Sequence, residues 1–149
     1  MLYGKDGKPS FGEGYEFVYG KMDTIKEGSD GVIITYGGMV ARAVKIREEL
    51  VKRGITLRVV NMPCVHEVDK DVMDGMLTQP HIFTYEDHNV YTGIAPVAMA
   101  YLLEKKYSGT FQSFGVRKYG ASGETEEAYR IEGLDVGSMT VALFEIMRR

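Results

Sequence analysis

Hydrophobic and polar positions along this chain follow two periods in turn. "GVIITYG" at 31–37 is a short β-branched run bounded by glycines, the pattern of a buried strand. "MVARAVKIREELVKRG" at 39–54 changes to a helical period. Met39, Ala43, Ile46 and Leu50 form one stripe, flanked by Val40, Val44 and Val51, while Arg42, Glu48, Glu49 and Lys52 take the other face. Gly54 supplies a stop. "ITLRVVNM" at 55–62 then predicts a second strand, parallel to the first through a right-handed crossover.

The alternation continues. "DKDVMDGML" predicts a short helix capped by Asp69, "HIFTYED" a third strand, and "GIAPVAMAYLLEKKY" a long helix with Pro96 in its first turn. "FQSFGV" predicts a fourth strand. After the glycine-rich bend "KYGASG", "ETEEAYRIEG" and "GSMTVALFEIMRR" close the chain as helices. Alternating strands and helices imply an α/β domain with a mostly parallel sheet covered on both faces. Residues 1–20 hold five glycines and no helical period, so they are expected to be a lead-in or linker, with a short edge strand within "YEFVYG". The domain proper is expected over 21–149.

Composition narrows the function classes. A chain of 149 residues, 44% hydrophobic, suits one domain with a real core. The net charge of −3, with acids and bases mixed, argues against a nucleic-acid partner. No apolar run approaches the roughly 20 residues of a membrane helix, and no signal-peptide core opens the chain. A single cysteine, Cys64, excludes an internal disulfide and fits a reducing cytosol. A cytoplasmic domain is expected.

The candidate chemistry lies at predicted strand ends, where open α/β sheets place ligands. "TYEDHNVYTGIAP" at 84–96 sets Glu86, Asp87 and His88 after the third strand, just before Gly93 and its helix. An acid or imidazole there suits acid–base chemistry. The competing reading, the one favoured, has Glu86 bonding backbone N–H groups and Asp87 and His88 solvated. Gly37 and Gly38 in "TYGGMVA" stand where an anion can sit on a helix N-terminus, yet they lack a G-x-G-x-x-G or P-loop pattern, and close strand–helix packing explains them equally well. Gly120, Ser122 and Gly123 form a second glycine turn, with Ser122 placed to cap the following helix. Cys64 and His66 in "PCVHE" offer a thiol and an imidazole, which makes an independent hydrolase a remote rival. His66, His81 and His88 lack the i, i+4 spacing of helical metal ligands, so no metal is expected.

From about Tyr15 onward these segments, in their order, resemble the C-terminal domain of the transketolase family of thiamine-diphosphate enzymes. The carriers are the opening βαβ ending in "ITLRVVNM", the acid-rich strand end "TYEDHNVYTGIAPVAMAYL", and "KYGASGETEEAYRIEGLDVGSMTVAL". The resemblance implies a three-layer α/β/α fold with a five-stranded, mostly parallel sheet and one antiparallel strand. It also implies that thiamine diphosphate and magnesium belong to two other domains, so that this chain alone binds no cofactor and carries no catalytic residue. "SDG" at 29–31 with Asn61 is rejected as a diphosphate signature, because its acid precedes a strand. The sequence departs from the family's pattern at "HEVD", at Thr92-Gly93 and at Lys118. Expected partners are a chain or domains carrying the cofactor site and a second copy of this chain. An exposed apolar patch around Met139, Leu143 and Met147 is expected to serve that assembly. The implied reaction is two-carbon ketol transfer between sugar phosphates, within carbohydrate metabolism of the pentose phosphate type. Deoxyxylulose-phosphate synthase, a 2-oxoacid dehydrogenase beta subunit and a stand-alone assembly module remain alternatives.

Overall fold

A computed structural model describes residues 14–118 and 123–148. Five strands form one sheet in the order β1-β3-β2-β4-β5. Here β1 is Asp23–Lys26, β2 Gly31–Thr35, β3 Leu57–Asn61, β4 His81–Asn89 and β5 Thr110–Val116. β1 pairs antiparallel with β3, and the other three pairings are parallel. All five residues of β2 are buried, as a central strand covered on both faces requires.

The pleat divides the core in two. Ile33, Val59, Phe83 and Tyr85 face α1 (Met39–Val51) and α5 (Val136–Met147). Val32, Ile34, Val60 and Ile82 face α2 (Lys70–Asp74) and α3 (Ile94–Glu104). A short α4 (Thr125–Ile131), with no buried residue, precedes α5. These are the three layers that the resemblance implies.

Three local expectations need correction. The edge strand is Asp23–Lys26, not "YEFVYG". A turn closed by Lys21 N–H to Val18 O separates the two, and Phe17, Val18 and Tyr19 stay exposed before pairing begins. Val51 is also exposed, lying in the last turn of α1 away from the buried stripe. Met139 and Leu143 are fully buried and Met147 half-buried. Residues 139, 143 and 147 form the inner stripe of α5, facing α1, whereas Val141, half a turn away, is 48% exposed.

Asp69 caps α2 by accepting from the Val72 N–H, and it also accepts from the Met22 N–H at 3.2 Å and the Lys21 ammonium at 3.4 Å. One buried carboxylate thus ties the entry to β1 onto the second helical layer. Burial opposes its charge, but the two N–H groups and Lys21 together hold its pKa below the ordinary 3.8. Its folded value being the lower one, its stabilisation is complete above pH 3.8 and is lost as pH falls through that folded value. Asp69→Ala is expected to cost about 1–3 kcal/mol near neutrality. In urea titrations across the acid range, the gap between wild type and variant should close on acidification.

Candidate functional site

β4 runs to Asn89 and carries Glu86, Asp87 and His88 on its carboxyl-terminal extension. Strand alternation sends Glu86 to the α3 side, and its side chain is fully buried. Its Oε2 accepts from the Ile94 N–H at 2.9 Å and its Oε1 from the Ala95 N–H at 3.1 Å. These are among the first amides of α3, whose N-cap, Gly93, has no side chain to satisfy them. Glu86 is therefore a cap supplied by a neighbouring strand. Desolvation raises its pKa, partly offset by the two N–H bonds and His88, with Asp87 adding to the rise.

The glycine before α3 follows from the same geometry. A Cβ on Gly93 would stand 1.7 Å from Glu86 Oε2. No other residue leaves room for the carboxylate.

Asp87 turns to the opposite face and accepts from the Tyr129 hydroxyl at 2.9 Å. The Tyr129 ring lies 4.0 Å from the Arg42 guanidinium, which in turn forms a two-nitrogen ion pair with Glu126. This chain of contacts fastens α4 to the rim. His88 shares a 3.1 Å hydrogen bond with the Thr92 hydroxyl across the turn between β4 and α3. Among the described residues, Glu86 alone of the three bonds backbone N–H groups. Asp87 and His88 meet side chains, not solvent alone. Nearby, burial raises the Tyr36 hydroxyl pKa, and the Glu86 and Asp87 charges add to it.

Gly37 and Gly38 open α1 on the same rim. Close packing does not explain them, because a Cβ on either would meet nothing within 4 Å. Gly37 has φ +56°, the left-handed region that favours glycine, whereas Gly38 is ordinary helical backbone. Gly123 lies two residues before α4, and Gly120 and Ser122 fall outside the described residues. Cys64 is buried, its sulfur accepting from the Gly20 N–H at 3.5 Å. Among the described residues no group of three or more His, Cys, Asp or Glu is placed to hold a metal. The rim does not fit a metal–diphosphate group, because Glu86 points inward with both oxygens engaged and Asp87 is held by Tyr129.

Sequence reasoning missed Arg42, Tyr85 and Tyr129. Tyr85 donates its hydroxyl to Leu134 O and joins the centre of the sheet to the turn before α5. Tyr129 lies 42 residues from Asp87. No spacing signal spans such separations. The Asp135 cap on Gly137 and Ser138 did have one, an aspartate just ahead of a helical period.

Together the fold and rim define an open three-layer α/β domain whose strand-end acids brace its own helices. The chain belongs to the transketolase C-terminal domain family: the family model described as "Transketolase, C-terminal domain" matches residues 20–139. It is 29% identical over 123 residues to 1-deoxy-D-xylulose-5-phosphate synthase of Clostridium acetobutylicum, covering 81% of this chain and 20% of that protein. It is 23% identical to an apulose-4-phosphate transketolase subunit of Actinobacillus succinogenes, covering 93% of this chain and 45% of that protein. A solved split-gene transketolase, described as an inactive beta4 tetramer, superposes with TM-score 0.83 at 25% identity, over 95% of this chain and 47% of the other. The chain thus spans between a fifth and a half of the length of these relatives. No helix among the described residues is long and apolar enough to cross a membrane.

Proposed function

We propose that this chain is the C-terminal part of a transketolase-type enzyme that moves a two-carbon ketol unit between sugar phosphates. Its role is assembly, and thiamine diphosphate and magnesium are held by partner domains or a partner chain. The observation carrying this reading is the match to transketolase subunits over nearly the whole chain, at 93% and 92% coverage, within relatives about twice as long. The rim acids support it, since Glu86 turns inward onto the N–H groups of α3 and Asp87 accepts from Tyr129, so that both organise structure. The similarity to 1-deoxy-D-xylulose-5-phosphate synthase keeps the corresponding domain of such a synthase as the second reading. We place the work in the cytoplasm, in carbohydrate metabolism of the pentose phosphate type.

α3 supports the assembly role in particular. Met99 and Leu103 are exposed on its outer side, Leu103 by 70%, beside exposed Ala100 and half-exposed Pro96. A helix apolar on all sides is built to be covered. We assign this face to the chain that carries the cofactor domains. Leu103→Glu should leave the melting temperature unchanged and weaken partner-dependent turnover about ten-fold at limiting partner, near 1.4 kcal/mol. Unchanged turnover would move the contact elsewhere.

The central test is reconstitution. The purified chain should show no ketol transfer and no saturable binding of thiamine diphosphate with magnesium tighter than about 100 μM, roughly −5.5 kcal/mol. Activity should appear on adding a chain that carries the two cofactor domains. Tighter binding by this chain alone, read by calorimetry, would overturn the assignment.

A further inference from the structure

Among the described residues β5 pairs with β4 alone, which leaves its other edge open. The Thr110 N–H donates to Pro80 O at 2.9 Å, so Thr110, Gln112 and Phe114 turn their amides and carbonyls toward β4. Phe111, Ser113 and Gly115 then turn theirs outward. The Arg117 guanidinium covers one of these outward groups, donating to Ser113 O at 2.9 Å and to Ser113 Oγ at 3.2 Å. The opposite edge of the sheet is blunted, since β1 has 4 residues and a register shift between Thr24 and Lys26. β5 has 7 residues, in even register with β4 from Thr110 to Phe114. A long, even edge is a template for another strand.

A groove of about 380 Å³ runs along this edge, and its two sides differ. On the side of α1 and α5 its wall is apolar, made by Phe114, Leu134 and Ile131, the last 59% exposed. On the side of α3 stands Ser113, level with Thr84, with the Arg117 guanidinium against its hydroxyl. Arg117 and Lys118 are both exposed and line the groove, and neither has an ion-pair partner among the described residues. Glu132 lines it as well, so two cations stand against one carboxylate and the groove is net positive. An extended chain laid here would send successive side chains to the apolar wall and to the cationic side in turn.

We propose that the open edge of β5 is a strand-addition site for an extended segment of another protein, one that alternates apolar and acidic residues. Its backbone pairs with the outward groups of Phe111, Ser113 and Gly115, which supplies affinity. Its apolar residues cover Ile131 and Phe114, and its acids meet Arg117 and Lys118, which supplies selectivity. Arg117 is the guard of this edge. In the free chain it covers the Ser113 carbonyl; an incoming N–H takes that carbonyl over, and the released guanidinium turns to the carboxylate of the bound strand. The site is a different surface from the outer side of α3 and does not depend on the chain's place in a ketol-transferring enzyme.

The test titrates the full chain with a capped peptide of alternating valine and glutamate, as long as the 7 residues of β5, and follows the backbone amides by NMR. The Phe111, Ser113 and Gly115 amides should shift saturably and exchange more slowly with solvent. The same peptide with lysine in place of glutamate should bind at least about ten-fold more weakly, and Arg117→Glu should narrow or reverse that preference. Ser113→Pro removes an outward N–H that β4 does not use, and proline is tolerated on such an edge, so circular dichroism should match wild type while binding is lost. Ser113→Ala keeps that N–H and should bind within about two-fold of wild type. No saturable shift up to about 1 mM peptide overturns the proposal. So does equal binding of the two peptides, or binding by Ser113→Pro as tight as by Ser113→Ala. Protection of the Ser113 and Gly115 amides that grows with protein concentration in the absence of peptide would give the edge to a second copy instead, and would equally overturn it. Partner-dependent turnover is untouched by any of these results, so the functional reading is tested separately.

Discussion

Gly93→Ala is expected to lower the stability of this chain by about 3–5 kcal/mol, enough to unfold much of the population of a marginal domain. The added Cβ would fall 1.7 Å from Glu86 Oε2 and 2.6 Å from Glu86 Cδ. These atoms cannot yield cheaply, because both carboxylate oxygens are held by the Ile94 and Ala95 N–H groups. If the carboxylate moves, α3 loses the cap that Glu86 supplies and a buried charge is left unpaired. If α3 moves instead, Ile94, Ala98 and Leu102 leave the second core cluster. Urea unfolding reads the loss directly. Glu86→Gln should cost less, about 1.5–3 kcal/mol, since the amide keeps one acceptor but sets an NH₂ against an N–H. Because burial raises the Glu86 pKa, wild type gains stability relative to Glu86→Gln as pH falls through that raised value. The Gly93→Ala, Glu86→Ala double variant should lose less than the two single variants added, since both disrupt one contact.

That contact also shows what was legible in the sequence. "HIFTYED" followed by glycine and an apolar helical run marked a strand, a turn and a helix correctly. It also placed an acid beside a helix that begins with no polar cap residue. What the pattern did not distinguish was the direction of each acid. Alternation along β4 sends Glu86 to one face and Asp87 to the other, and their partners lie on different helices. Periodicity identified α5 equally well but assigned the wrong side to the surface. Met139, Leu143 and Met147 form as apolar a stripe as any binding face, and only the position of α1 decides that this stripe is core. The edge strand was misplaced for a related reason. "YEFVYG" has stronger strand propensity than "DTIK", but Asp69, 47 residues beyond Met22, anchors the chain where β1 can pair with β3. Local pattern names the elements; contacts distant in sequence choose their faces and registers.

Tyr85→Ala should remove about 3–5 kcal/mol, the range for deleting a large buried aromatic side chain. Tyr85 is fully buried in the first core cluster, pairs with Thr35 across β2 and with Phe114 across β5, and donates its hydroxyl to Leu134 O. It therefore supports the sheet and the α4–α5 turn at one point. Tyr85→Phe separates the two roles. It keeps the ring but leaves the Leu134 carbonyl without its donor, for about 1–3 kcal/mol. Alkaline pH gives an independent reading. Burial pushes the Tyr85 pKa far above the ordinary 10.0, and burial likewise pushes Tyr107 up to about 12. Folded values above the unfolded one mean that this stabilisation is complete below pH 10 and is lost as pH rises toward the folded values. Wild type should therefore lose stability steeply above pH 10. Tyr85→Phe, which has no proton to release, should lose it less steeply, with the remaining slope due to Tyr107 and other tyrosines. Equal slopes for the two proteins would mean that the Tyr85 hydroxyl is open to solvent and that the turn before α5 is held by something else.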